Sequence, residues 1–235
     1  MFIYKGKTSE EMGLEVGRNI VYSSPSRDID FISVQGRNGT IPFDRGRYDD
    51  VVWSIPVILK DNRGIESRIT GITDWLLTDT NYYDFLWSSN PEFVYRAMCY
   101  ERYSFDRVLR ELGRATISLR VKPIKYLATS LEDIPISNGM SIVNQFNIAA
   151  HPLIKIEGSG DVEMKIGDSS LTLRNLVGGC IIDSEIQTIT NLDRSQVLFN
   201  KMESYPFPTL VPGHNQISIL GDVSILMQTR IGALI

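Results

Sequence analysis

The sequence predicts a mainly β protein in two parts, an α+β N-terminal domain with short helices and a C-terminal β-sandwich of jelly-roll type. Three observations predict it. Apolar residues recur largely with period 2, in short runs of β-branched and aromatic types. Turn formers are frequent, with 18 Gly and 10 Pro spread over 235 residues. From residue 142 onward, short apolar runs alternate with turn signals and no convincing helix intervenes.

The elements follow in order. Residues 2–4 read as a strand, 5–7 as a turn around Gly6, and 19–22 as another short strand. Residues 27–34 alternate, with Ile29 and Phe31 on one face and Asp28 and Asp30 on the other. Residues 35–50, QGRNGTIPFDRGRYDD, hold three Gly, one Pro, three Arg and three Asp. Asn38-Gly39 signals a type I′ hairpin turn, and Pro42 with the charges argues against a buried central strand. The segment therefore reads as an exposed hairpin arm, a mobile loop being the alternative. Residues 51–60 form an apolar strand in which Pro56 demands an edge or bulge. A turn over 61–64 precedes a helical stretch over 65–77, with Asp74 as an N-cap for Trp75-Leu76-Leu77. A second short helix is placed over 82–87, stopped by Ser88-Ser89-Asn90-Pro91. Residues 92–104 read as a strand with Phe93, Tyr95, Ala97 and Cys99 on one face. Residues 105–112 stay open, because Phe105, Val108, Leu109 and Leu112 have helical spacing. Ile117, Leu119 and Val121 mark a clean strand over 115–121.

Residues 128–141 are polar, contain Pro and Gly, and coincide with a change in charge. Residues 1–130 carry 18 Lys and Arg against 17 Asp and Glu, whereas residues 131–235 carry 6 against 11. The domains are accordingly set at 1–133 and 134–235. Strands in the second are expected over 142–148, 153–158, 161–166, 169–173, 180–183, 185–190, 216–220 and 223–229. The Arg bias of the first half, 13 Arg against 5 Lys, points to protein–protein contact, since the planar guanidinium pairs with carboxylates and stacks on rings.

Composition narrows the function. At 43% hydrophobic and 22% charged, the chain is of globular type, and its net charge of −4 makes specific nucleic-acid binding unexpected. No run approaches the about 18 apolar residues that a membrane span needs, and no signal segment is seen at the N-terminus. The expectation is thus a protein made and kept in a cytoplasm, or released from it by lysis. His151 and His214 read as turn residues, and Cys99 and Cys180 as small buried apolar groups, so neither a metal nor a cofactor is expected. No GxSxG elbow supports a triad, and the adjacent acids Asp49-Asp50 and Glu132-Asp133 would point to opposite strand faces. Gly158-Ser159-Gly160 lacks a third Gly and a following helix, so it is no dinucleotide fingerprint. The expectation is a protein that is not an enzyme. Between prolines, Tyr205 and Phe207 are candidates for a partner contact, for stacking on a sugar, or for closing the core edge.

Several motifs then carry a resemblance. Val34-Gln35-Gly36-Arg37-Asn38-Gly39 followed by Gly46-Arg47-Tyr48-Asp49-Asp50-Val51, Trp75-Leu76 before Asn90-Pro91-Glu92, and the Gly-led GRATISLRVKP from Gly113 resemble the first domain of siphophage distal tail proteins. Phe207-Pro208-Thr209-Leu210-Val211-Pro212-Gly213-His214-Asn215-Gln216-Ile217 resembles a run near the end of that family. The resemblance implies a structural protein of the virion, at the distal end of a phage tail. It implies a baseplate hub ring, commonly a homohexamer, joining the tail tube protein to the tail-associated adhesion or lysin protein and to receptor-binding proteins. It also implies a galectin-like second domain. Galectin sugar binding is not carried over, because Trp53, Trp75 and Trp87 all lie in the first half and His214-Asn215 lacks the accompanying Arg. The expected subunit interface is Arg37, Asn38, Arg45, Arg47, Tyr48, Asp49 and Asp50, with Asp44 among the charges that set register. A carbohydrate-binding module is the alternative function.

Overall fold

Strands dominate a computed structural model of the chain, which describes residues 1–18, 20–61, 65–109 and 112–235. The chain is mainly β. It divides into one unit of residues 1–125 with 234–235, and a second of residues 126–233.

The first unit contains β1 (Phe2–Tyr4), β2 (Lys7–Thr8), β3 (Leu14–Val16), β4 (Arg27–Ser33), β5 (Thr40–Tyr48), β6 (Val51–Lys60), α1 (Glu66–Leu77), β7 (Tyr83–Trp87), β8 (Phe93–Cys99), β9 (Asp106–Leu109) and β10 (Leu112–Val121), and β11 (Ile124–Leu127) leads out of it. Its main sheet runs β2-β1-β7-β8-β10-β6-β3, with β9 paired to β10. β6 and β10 match along their full lengths, from Leu112↔Lys60 to Val121↔Val51. Alternation sorts Val51, Trp53, Ile55, Val57 and Leu59 inward, and the core gathers Phe2, Tyr4, Trp75, Phe85 and Trp87 around them. The Trp75 indole N–H donates to the Tyr4 carbonyl at 2.9 Å, which satisfies a buried donor.

Pro56 lies inside β6 rather than at its end, paired with Thr116. Its carbonyl accepts from Gly17 N–H at 2.7 Å, one residue beyond the last β3 pair, Val16↔Val57. The side on which proline lacks a donor is therefore the side where β6 loses its neighbour, which is a local edge.

Two sequence expectations are corrected here, and one segment left open by the sequence is assigned. Residues 65–77 yield one continuous helix, with Asp74 in its interior, because Trp75 and Leu76 extend the buried stripe begun by Ile65 and Ile72. Residues 82–87 are not helical: Phe85 and Trp87 face inward with period 2, and β7 pairs with β1 and β8. In residues 105–112, β9 is an exposed strand against β10. Of the strand expected over 19–22, Asn19 lies outside the described residues, and the rest contributes an isolated bridge from Val21 to Ser54. Asn62, Arg63 and Gly64 of the expected turn, and Arg110 and Glu111, also lie outside the described residues.

The second unit is a sandwich of two antiparallel sheets. It is built from β12 (Ile134–Ile136), β13 (Ser141–Asn144), β14 (Leu153–Gly158), β15 (Gly160–Ile166), β16 (Ser169–Leu176), β17 (Gly179–Asp183), β18 (Thr188–Thr190), β19 (Gly213–Leu220) and β20 (Val223–Gln228), while β21 (Gly232–Leu234), outside both sheets, ends on a residue of the first unit. One sheet orders β12-β20-β14-β17-β18 and the other β13-β19-β15-β16. Ile154, Ile156, Val162, Leu173, Ile182, Ile217 and Met227 fill the space between. Gly179 is required where β17 meets β14: a Cβ there would lie 2.4 Å from the Ile156 carbonyl oxygen, at φ +132°.

Candidate functional site

β4 and β5 pair only with each other and form a two-stranded arm. The ladder pairs Ser33 with Thr40, Ile32 with Ile41, Phe31 with Pro42, Asp30 with Phe43 and Ile29 with Asp44. It then slips, so that Arg45, Gly46 and Arg47 oppose Asp28 before Arg27 meets Tyr48. Such a bulge increases local twist. The arm therefore begins at Arg27, eight residues before the compositional anomaly that announced it.

Its tip corrects the turn expected from Asn38-Gly39. The Arg37 N–H donates to the Val34 carbonyl at 3.2 Å, and Gly36, third in that turn, has φ +80°. That is the signature of a type II turn. Gly36 supplies the reversal, and residues 34–39 together bridge the strands.

The apolar side chains of the arm have no cover. Cross-strand partners share a face, so Ile32, Ile41 and Phe43 lie on one side and Phe31 and Pro42 on the other. Phe31 is 68% exposed and Phe43 56%. A hairpin apolar and bare on both faces is unusual in a free-standing chain.

The charges of the arm, by contrast, are largely satisfied within it. Arg27 donates through Nε to Asp44 at 2.7 Å, Arg45 through Nη2 to Asp30 at 2.7 Å, and Arg47 through Nε to Asp28 at 2.5 Å. The Arg27 guanidinium, with a further bond from the Gly46 amide, holds the Asp44 carboxyl below the usual carboxylate value. Arg27 also reaches the Tyr48 hydroxyl at 3.2 Å, its guanidinium 5.4 Å from the ring centre. At the root, the Asp49 amide donates to the Ser26 carbonyl at 2.9 Å. The Asp50 carboxylate accepts from the Tyr82 hydroxyl at 2.5 Å and from Arg120 Nε at 2.8 Å. Burial, and then the Asp50 charge, push the Tyr82 hydroxyl up to about 12.

The structure thus brings the candidates Arg45, Arg47, Tyr48, Asp49 and Asp50 together on β5 and at its root, and leaves Arg37 and Asn38 exposed at the tip. It does not leave the paired charges free to set register with a neighbour, because carboxylates across the ladder already hold them. Sequence reasoning missed Phe31, Ile32, Ile41 and Phe43. Their signal was present: consecutive apolar residues, Phe31-Ile32, occupy both faces of a strand, the pattern of an element covered on both sides.

The second candidate segment divides. Phe207 is 6% exposed and packs in the sandwich core, whereas Tyr205 is 78% exposed, edge-on to Phe207 at 6.4 Å. Phe207 closes the core edge, so only Tyr205, with the exposed Phe199 beside Phe207, remains for contact. The run from Phe207 to Ile217 is held from within. Phe207, Pro208, Leu210, Asn215 and Ile217 are its buried positions, and the Asn215 amide group donates to the Val211 and Gly213 carbonyls at 2.8 and 3.1 Å while accepting from the Val211 N–H at 2.9 Å.

No family model matches the sequence, and no curated protein matches it. Among solved structures, the chain is similar to the SPP1 Dit (gp 19.1) protein, described as a paradigm of the hub adsorption apparatus in phages that infect Gram-positive bacteria. The TM-score is 0.74 at 14% sequence identity, over 96% of each chain. The chain has that fold, as the ordered motifs led one to expect.

Proposed function

We propose that the chain is a hub protein of a phage tail tip, whose copies close into a ring through the β4–β5 arm. The observation that carries this reading is the arm itself: apolar on both faces, uncovered, and with its charges already paired. Burying Phe31 and Phe43 against neighbours would stabilise an assembly by about 1.5–3 kcal/mol per side chain. An arm on one copy that docks on a different surface of the next is a heterologous contact, which closes when the rotation closes. The fold shared with a hub protein supports the same reading. On it, a homohexameric ring at the distal end of the tail, made in the host cytoplasm, joins the tail tube protein to the tail-associated adhesion or lysin protein and to receptor-binding proteins. The role is mechanical, not enzymatic.

Replacing Phe31 and Phe43 together by Ser tests this, as does deleting residues 37–47. Light scattering of the parent chain is expected to show a ring and that of both variants a folded monomer. Full-size rings from the variants would refute the arm as the clasp.

A second reading is favoured by one observation, the exposed Tyr205 and Phe199. A sandwich presenting aromatic rings to solvent suits a carbohydrate-binding module. It requires a monomer whose glycan binding disappears with Tyr205→Ala.

A further inference from the structure

The first unit carries a groove that the arm does not use. It has a volume of about 710 Å³ and lies along β6 and β10 where β3 ends, with the segment from Arg102 to Ser104 as a wall. Its floor is formed by Pro56 and Ile58 of β6 beside Thr116 of β10.

The arginines of the groove stand apart. Among the described residues of this unit, Arg27, Arg45, Arg47, Arg68, Arg96, Arg107 and Arg120 each hold a carboxylate. Arg37 at the arm tip does not, and neither do Arg18, Arg102 and Arg114, all three of which line the groove. They are exposed, with only Asp106 as an acidic neighbour in the lining. Tyr103 between them is anchored, its hydroxyl 2.9 Å from that of Thr73.

We infer that this groove docks an extended acidic segment of a partner protein. Guanidinium groups left without carboxylates inside a chain that pairs most of its arginines offer fork-shaped donors to carboxylates from outside. An open groove that follows two strands, with a small apolar floor, suits an extended backbone better than a compact ligand. Tyr103 is the one aromatic in the lining and its hydroxyl is held by Thr73, so the groove offers no row of rings for successive bases, which disfavours a nucleic acid. The inference is independent of the arm, since it concerns different residues and needs no ring.

The test is fluorescence anisotropy with the intact protein and a fluorescein-labelled short peptide of alternating Glu and Ser. Saturable binding is expected, weaker at higher salt, and weakened by about tenfold or more in Arg102→Glu/Arg114→Glu, a difference of about 1.4 kcal/mol. Arg102→Gln/Arg114→Gln, which removes charge without reversing it, should weaken it less. Arg37→Glu, a single reversal at an unpaired arginine elsewhere, should leave it intact, whereas Arg102→Glu alone should already weaken binding. Unchanged melting temperatures would establish that these exposed substitutions spare the fold; if the reversal variant unfolds, the Gln variant decides. Absence of binding, equal loss with Arg37→Glu, or tighter binding of a labelled single-stranded oligonucleotide through the same arginines would overturn the inference.

Discussion

Asn144 and Asn215 show how single polar side chains organise the sandwich. Each is almost wholly buried, and each bonds backbone groups of nearby loops: Asn144 donates to the Ile148 carbonyl at 2.8 Å and joins the Ala150 amide on the Leu210 carbonyl at 3.0 Å, and Asn215 ties the loop from Val211 to Gly213. A buried group of this kind is costly when its partners are lost. The cysteines are buried without such bonds. Burial pushes the Cys99 thiol up to about 11 and the Cys180 thiol to about 12, so almost no thiolate exists at neutral pH. Iodoacetamide is therefore expected to leave both unmodified in the native protein and to label both after denaturation; rapid native labelling would show that one of them opens to solvent. The inertness of these thiols was legible in the sequence, because isolated Cys within apolar strands behave as small hydrophobes. The roles of the two asparagines were not, since an Asn between apolar residues looks the same whether it caps a buried turn or faces water.

Among elements, the arm has an acid-sensitive ladder. The Arg27 guanidinium lowers the Asp44 pKa from its ordinary 3.8. A carboxyl held lower in the folded state contributes its stabilisation above its unfolded value and loses it as the pH falls through the folded value. Amide protection over β4 and β5 should accordingly fall as the pH drops below 3.8, while that of β6 and β10 persists. Unchanged protection in the arm would mean that the ladder stands without its ion pairs. The strands at the centre of each sheet were readable, because Ile117, Leu119 and Val121 have a single period and a single burial side. β7 was misread because Tyr83, Phe85 and Trp87 follow a helix closely and satisfy either period over so short a span. β4 was read as a strand but not as half of the arm. An apolar residue destined for a neighbour and one destined for the core leave the same pattern.

At the scale of the molecule, residues just before the expected boundary at 133 are tied to the second unit. The Ser130 hydroxyl donates to the Leu127 and Ile231 carbonyls at 2.7 and 3.0 Å, the Arg230 N–H donates to the Ser130 carbonyl at 2.9 Å, and Lys155 pairs with Asp133. Tyr126 is buried, and its hydroxyl reaches Glu185 at 3.3 Å. A fragment of residues 126–233 is thus expected to unfold in one cooperative transition, and a fragment starting at 134 to be measurably less stable in urea. Equal midpoints would show that residues 126–133 contribute nothing. Composition located the change of character between the halves, but side-chain ties of this kind have no sequence signature.

The connection between arm and sheet is short. Only Asp49 and Asp50 separate β5 from β6, and Asp50 is pinned by Tyr82 and Arg120. β6 in turn lies against β10 over ten residue pairs and against β3 on its other flank. A tensile load applied to the arm would enter the fold along the axis of β6. Hydrogen bonds in an antiparallel ladder run perpendicular to the strands, so such a load shears them together instead of unzipping them one at a time. On the proposed function, the arm is spliced into the longest ladder among the described residues, a mechanical anchor at the point where copies would pull on one another.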